Sequence, residues 1–198
     1  MMTLPEYAAA KDSYCVCYYG HCDEYVILLT LLRPVLERHF PGLRLSVGCR
    51  DDKKHLYDGV VSMSEIRADR RRFSHVRELT YDGRSHPVES LLDEAGVTTY
   101  RVATPAAAQT KKCVIVTRGT YPTKNMERRQ VESAKRVASD RGFDVEVGDD
   151  AGGAGLVVGV ESLPLFEAAR RGVKTILVPT GPGERLYTGM FGGEVLRL

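Results

Sequence analysis

The chain has 198 residues, of which 43% are hydrophobic and 27% are charged. This composition is typical of a folded globular protein and excludes a largely disordered chain. Lysine and arginine together number 28 against 26 acidic residues, so the formal net charge of +2 argues against nucleic acid as a partner.

The sequence also argues against membrane insertion and export. Its longest apolar runs, at residues 25–32 and 175–179, are much shorter than a bilayer span. Residues 1–11 carry no basic segment followed by an apolar stretch, as a signal peptide would. The 5 cysteines, an odd number, fit a reducing compartment better than a disulfide scaffold. We therefore expect a cytoplasmic protein without a transmembrane segment.

The first half of the chain alternates between the patterns of buried strands and of helices. The apolar and polar spacing predicts strands at residues 13–19, 43–49, 58–63 and 76–81, and helices at residues 24–40, 64–72 and 87–95. Pro34 lies inside the longest of these helices and can kink it. Strand, helix and strand within the first fifty residues predict a βαβ unit.

A second run of alternating elements follows a segment without hydrophobic periodicity. Residues 98–111 are rich in Thr, Ala and Pro, which is typical of a linker. Beyond them the pattern predicts strands at residues 112–117, 143–147, 155–160 and 173–179, and helices at residues 123–141 and 162–171. The glycine-rich residues 148–155 predict a turn. Apolar residues at 186–198 fit either a dimer contact or a C-terminal strand.

Two consecutive βα runs predict an α/β protein with two small Rossmann-like lobes, each with a parallel sheet, facing across a cleft. We expect an N-terminal lobe at residues 1–100, a linker at residues 101–111 and a C-terminal lobe at residues 112–198. A single doubly wound sheet is the structural alternative.

The strongest local signal is the strand, turn and helix of residues 159–179. The strand delivers Glu161 and Ser162 to a helix N-terminus, where free backbone amides and the helix dipole favour an anion. Glu167 lies about one turn further along, where a carboxylate can accept two hydrogen bonds from a ribose diol. The alternative is that Ser162 only caps the helix and Glu167 is a solvated surface residue.

This segment resembles the donor site of GT-B glycosyltransferases. The resemblance rests on Ser162, Glu167, Gly172 and the Val-Pro pair at residues 178–179. In that family a strand, a small-residue turn and a helix with a Glu five residues before a Gly bind a nucleotide-sugar. The resemblance implies that Glu167 contacts the ribose and that Glu161 and Ser162 contact the diphosphate.

The beginning of the chain is similar to the heptosyltransferases of glycosyltransferase family 9. Those proteins open with a strand, a Gly-Asp turn and a Leu-rich helix ending in Phe-Pro, as residues 13–41 do here. The match implies that Asp23 is the catalytic base. It also implies that Lys124, in the Thr-Lys pair of residues 123–124, contacts the donor diphosphate at the start of the second lobe's first helix.

The chain departs from the family-9 pattern in three respects. It has Glu-Ser-Leu-Pro-Leu-Phe at residues 161–166 where the family usually has Asp-Ser-Gly-Pro-x-His. His21 and Cys22 separate Gly20 from Asp23, where the family has no intervening residues. The chain is also much shorter than such enzymes.

The resemblance implies transfer of a sugar from a nucleotide-sugar donor to the hydroxyl of a glycan or small-molecule acceptor. Asp23 would deprotonate the acceptor. Arg118, Lys124 and the helix N-terminus beside Ser162 would stabilise the leaving phosphate, so we expect neither a metal nor a cofactor. Alternatives are a non-catalytic descendant that binds a nucleotide or a partner, and a nucleotide-sugar hydrolase or epimerase. Asp23 can also be simply a helix N-cap.

Two further clusters have structural explanations. Cys15, Cys17 and Cys22 with His21 offer soft metal ligands, but no second Cys pair exists, so we expect core packing. The predicted helix at residues 64–72 would place Arg67, Arg70 and Arg71 on one face. Interleaved acidic residues favour a solvated face over one that binds nucleic acid or an acidic surface.

Overall fold

Parallel strands alternate with helices in the structure, a computed structural model that describes residues 4–10, 13–20, 23–73, 75–81, 84–106, 110–119, 122–181 and 183–197. The chain divides into two compact units, Met1–Val102 and Ala103–Leu198. Each unit contains one parallel sheet. The prediction of an α/β protein with two parallel-sheet lobes is therefore confirmed, and the alternative of one doubly wound sheet is wrong. Within the described ranges no helix combines the length and apolar character needed to cross a membrane.

The first unit is built on a four-stranded parallel sheet in the order β3-β2-β1-β4. Its elements in chain order are α1 (Leu4–Ala10), β1 (Ser13–Cys17), α2 (Asp23–His39), β2 (Arg44–Cys49), a 3₁₀ helix (Asp51–Leu56), β3 (Val60–Ser62), α3 (Met63–Ala68), β4 (Val76–Glu78) and α4 (Pro87–Glu94). Helix α2 buries Ile27, Leu28, Leu32 and Leu36 at the predicted spacing, and it continues through Pro34. Helix α1 and the 3₁₀ helix were not predicted.

Helix α3 is shorter than the sequence pattern predicts. It begins with a capping box, in which Ser62 accepts from the amide of Glu65 and donates its own amide to the Glu65 carboxylate. It ends at Ala68, and Asp69 then accepts a hydrogen bond from the Arg72 amide at 3.0 Å. The expected helix over residues 64–72 is present but ends at Ala68, so Arg70 and Arg71 lie outside it and do not share a helical face with Arg67.

The second unit is built on a five-stranded parallel sheet in the order β6-β5-β7-β8-β9. Its elements are β5 (Lys112–Val116), a 3₁₀ helix (Pro122–Lys124), α5 (Arg128–Asp140), β6 (Asp144–Val147), β7 (Leu156–Gly159), α6 (Leu163–Arg170), β8 (Lys174–Leu177), α7 (Glu184–Phe191) and β9 (Glu194–Val195). Residues 148–155 connect β6 to β7 without a helix, as predicted. The C-terminal strand, one of the two alternatives for residues 186–198, is present as β9, which pairs with β8.

Helix α5 begins later than predicted. The 3₁₀ helix separates β5 from it, and Glu127 caps it by accepting from the amide of Gln130 while donating its own amide to the Gln130 side chain at 2.7 Å. Lys124 consequently precedes α5 instead of lying in its first turn. The helix packs its buried Ala134 and Ala138 against the strands of the sheet. The residues of β5 and β7 in the same cluster are buried.

Candidate functional site

The second sheet has a topological switch point between β5 and β7. After β5 the chain passes to β6 on one side, and it then returns to β7 on the other side of β5. The connections that leave the carboxyl ends of β5 and β7 therefore diverge, which is where ligands bind in wound parallel sheets. Of the residues predicted to bind the donor, Arg118 and Lys124 follow β5, and Glu161 and Ser162 follow β7.

Lys124 and Glu161 form a buried ion pair at this switch point. The Nζ atom of Lys124 donates a hydrogen bond to Oε2 of Glu161 across 2.6 Å, over a sequence separation of 37 residues. The two side chains are only 2% and 6% exposed. Because water screens the pair little, each charge depends strongly on the other for its stability. The pair ties the connection after β5 to the connection after β7, and it holds the Lys124 ammonium inside the protein.

The backbone around Lys124 is held by close packing and hydrogen bonds. A Cβ atom at Gly119 would lie 2.4 Å from Cβ of Lys124 and 3.0 Å from its carbonyl oxygen, so this approach requires glycine. The Gly119 amide donates to Oδ1 of Asn125 at 3.2 Å, and Thr180 donates its hydroxyl to the Lys124 carbonyl at 3.3 Å. Asn125 and Thr180 were not predicted, because isolated polar residues in loops form no sequence pattern.

Ser162 occupies the N-cap position of α6, but its side chain does not cap the helix. The hydroxyl donates to the carbonyl of Val160 at 3.0 Å and accepts from no amide of the first turn. Pro164, in that first turn, has no amide hydrogen to offer. The positive end of the α6 dipole therefore lies at the switch point without a side-chain cap from Ser162.

Glu167 and Arg118 have different surroundings. Glu167 lies within α6, where it accepts a hydrogen bond from Arg170 at 2.8 Å, and its side chain is 29% exposed. This is an ordinary pair three residues apart on a helix surface, and the Glu167 carboxylate remains accessible. Arg118 follows β5 and is exposed. It makes no ion pair with any carboxylate in the part of the chain that the structure describes.

Asp23 lies in the first unit at the beginning of α2. Its Oδ2 accepts a hydrogen bond from Nζ of Lys53 at 2.9 Å, and its side chain is 16% exposed. Asp23 is the first residue of α2 and lies in its first turn. At this position the positive end of the α2 dipole stabilises the negative charge of its carboxylate. Its partner Lys53 lies in the 3₁₀ helix after β2, and no sequence pattern indicates this pairing.

The cysteines of the first unit are packed into its interior. Burial raises the pKa of the Cys15 thiol to about 12 and that of the Cys17 thiol to about 11. Such thiols stay protonated and are poor metal ligands or nucleophiles. Among the described residues no group of three or more His, Cys, Asp or Glu side chains can hold a metal ion. His21 and Cys22, which the sequence raised as possible ligands, lie outside those residues.

A cavity of about 560 Å³ opens in another part of the second unit. Leu156 and Lys174, the first residues of β7 and β8, line it, as does the Arg141–Glu194 ion pair. It therefore lies near the amino ends of these strands, whereas Lys124 and Glu161 lie beyond their carboxyl ends. None of the predicted site residues lines it.

The fold matches that of a bacterial glycosyltransferase of known structure. The match is to the iron-containing dodecameric glycosyltransferase TibC from enterotoxigenic E. coli H10407, with a TM-score of 0.51 and 10% sequence identity. It covers 85% of this chain and 58% of TibC, so the chain spans less than two thirds of that protein's length. At this identity the likeness concerns the fold alone, and it agrees with the GT-B-like fold that the sequence motifs indicate.

A second match is to the E. coli heptosyltransferase WaaC with ADP. Its TM-score is 0.44 at 13% identity, over 93% of each chain, which is too weak a likeness to support an argument. No protein-family model matches the chain, and no curated protein matches it by sequence. The comparisons thus define the class of fold, a GT-B-like pair of parallel α/β units.

Proposed function

We propose that the chain is a glycosyltransferase whose second unit binds a nucleotide-sugar at the switch point between β5 and β7. The observation that carries the proposal is the buried Lys124–Glu161 pair, which links the two diverging connections at the position where wound sheets bind ligands. A site whose walls are already linked needs little reordering when the ligand arrives.

The contacts suggest separate tasks for the predicted donor-binding residues. Lys124 is buried against Glu161, so we infer that it positions the connections and that Arg118 supplies the cation for the diphosphate. The N-terminus of α6 beside Ser162 adds backbone amides and the positive end of its dipole. The accessible carboxylate of Glu167 would accept hydrogen bonds from the ribose hydroxyls in place of Arg170.

The proposed transfer uses these groups without a metal ion. The oxygen of an acceptor hydroxyl attacks the anomeric carbon of the donor while the bond from that carbon to the phosphate oxygen breaks. The acceptor's proton passes to Asp23, and the bonding electron pair leaves on the phosphate, where Arg118 and the α6 amides stabilise the charge. Lys53 orients the Asp23 carboxylate, so an acceptor hydroxyl would have to share it with the ammonium 2.9 Å away.

The first test is calorimetric titration of the protein with UDP, GDP, ADP and CMP. We expect the protein to prefer one base. We expect Glu167→Ala to lower the affinity for the preferred nucleotide at least tenfold, which is about 1.4 kcal/mol of binding free energy. Glu132→Ala is the matched control, because Glu132 pairs with Lys135 three residues away on the surface of α5 as Glu167 pairs with Arg170 on α6. Absence of nucleotide binding by folded protein would refute the proposal.

The second test separates transfer from the alternative functions. Arg118→Gln is expected to weaken the binding of a nucleoside diphosphate more than that of the corresponding nucleoside, since only the diphosphate carries phosphate groups. Asp23→Asn is expected to abolish transfer while leaving nucleotide binding intact. Hydrolysis of the nucleotide-sugar without an acceptor would indicate a hydrolase. Binding without any product would indicate a non-catalytic descendant, an alternative favoured by the engagement of Asp23 with Lys53.

A further inference from the structure

A cavity of about 460 Å³ opens in the first unit, on the side of the sheet where α3 packs. Helix α3 has only 6 residues and packs on β2 and β3. The cavity lies next to it, over an apolar cluster that includes Ile66 and Phe73, both nearly buried, and the ring of Tyr19. A volume of this size lies within the range of about 300–1,000 Å³ that is usual for small-molecule sites.

The position of the cavity is that of a ligand site in a wound sheet. In the order β3-β2-β1-β4, the chain passes from β1 to one side through β2 and β3, and it then reaches β4 on the other side. The switch point of the first unit therefore lies between β1 and β4. Tyr19, two residues beyond β1, and Glu78, the last residue of β4, both line the cavity.

Two arginines line the same cavity and are available to an incoming anion. Arg67 and Arg70 are exposed, and among the described residues neither makes an ion pair. By contrast, Arg77 on the adjacent strand is paired with Glu94 at 2.6 Å. A guanidinium presents a planar set of donors that suits phosphate and carboxylate groups, and two of them beside one cavity favour a ligand with such a group.

The remaining lining indicates what the rest of the ligand carries. Glu78 brings a carboxylate to a cavity that two guanidinium groups make positive overall, and a carboxylate accepts hydrogen bonds from hydroxyl groups. The Tyr19 ring packs against the apolar cluster of Cys15, Ile66 and Phe73. The rings of Tyr19 and Phe73 offer apolar surface for the body of the ligand.

We propose that this cavity binds a small hydroxylated molecule bearing a phosphate or carboxylate group. Arg67 and Arg70 hold the anionic group, and Glu78 accepts hydrogen bonds from the hydroxyls. All the residues involved belong to the first unit, so the proposal does not depend on nucleotide binding by the second unit.

The test is calorimetric titration of the full chain with four probes: glucose 6-phosphate, glucuronate, glucose and inorganic phosphate. We expect glucose 6-phosphate or glucuronate to bind with a Kd below about 1 mM and glucose to bind much more weakly. Binding of only one of the two anionic sugars identifies the anionic group that the site prefers. Failure of both to bind to folded protein at about 10 mM would overturn the proposal.

Variants distinguish a built site from general attraction by positive charge. The double variant Arg67→Gln/Arg70→Gln is expected to weaken binding of the anionic sugar at least tenfold. The matched control is Arg38→Gln/Arg71→Gln, which removes the same charge from exposed positions outside the cavity. Equal loss in the control would refute the assignment. Glu78→Gln is expected to weaken binding of the anionic sugar but not of inorganic phosphate. Equal effects on the two ligands would exclude the contact between Glu78 and the sugar hydroxyls.

Discussion

The buried Lys124–Glu161 pair allows a quantitative prediction about stability. Lys124→Met keeps the length and apolar stem of the side chain but removes the ammonium 2.6 Å from Glu161. The carboxylate, 6% exposed, is then left buried without that counter-charge. Breaking a buried pair in this way destabilises proteins by about 3–5 kcal/mol, so we expect a loss of that size in the second unit.

The assay is amide hydrogen exchange of β5 and β7, because it reports the opening free energy of the unit that contains the pair. Lys124→Met/Glu161→Leu, which removes both charges, is expected to recover stability to within about 1 kcal/mol of wild type. Lys135→Met is the control, since the side chains of its pair with Glu132 are 41% and 58% exposed and such surface pairs contribute little to stability. A loss below about 1 kcal/mol for Lys124→Met would refute the reasoning.

Three further predictions concern other features of the two units. The Cys15 thiol, with its pKa raised to about 12 by burial, should resist alkylation at neutral pH until denaturant is added, as peptide mass spectrometry can show. Gly119→Ala should lower the unfolding free energy by about 1–3 kcal/mol, because its Cβ would lie 3.0 Å from a carbonyl oxygen, whereas Gly181→Ala meets nothing within 4 Å and should be neutral. The hydrogen bond from Lys54 lowers the pKa of Glu65 from 4.5 to about 2. The stabilising contribution of the ionised Glu65 side chain is therefore complete above pH 4.5 and lost as the pH falls towards 2. The urea unfolding midpoint of Glu65→Gln should therefore depend less on pH over this interval than that of the wild-type protein.

The central strands of the second sheet could be predicted from the sequence because they are buried on both faces. Strands β5 and β7 appear as continuous apolar runs, and the structure places them within about two residues of the predicted limits. Helix limits were less accurate where local capping decides them. The start of α5 follows from the capping box between Glu127 and Gln130, and α3 ends at Ala68 in a turn; apolar periodicity reveals neither limit.

The contacts of the candidate site residues could not be predicted from the sequence. The resemblance to GT-B glycosyltransferases implied that Lys124, Glu161 and Ser162 contact the same donor, and the structure places them after β5 and β7. The pairing of Lys124 with Glu161, and that of Asp23 with Lys53, depends on side-chain directions set by tertiary packing. Sequence spacing carries no information about such long-range pairs, so it could not indicate that the lysine predicted to contact the diphosphate is buried.

The strands at the edges of both sheets are very short. In the first sheet the edge strands β3 and β4 have 3 residues each, and in the second β6 has 4 and β9 has 2. An exposed edge invites hydrogen bonding by a strand from another molecule, and short or charged edges limit such pairing. β6 reads Asp-Val-Glu-Val and β9 begins with Glu194, so both edges of the second sheet carry acidic residues. These edges offer few consecutive backbone groups to a foreign strand and therefore protect the folded chain against aggregation by sheet extension.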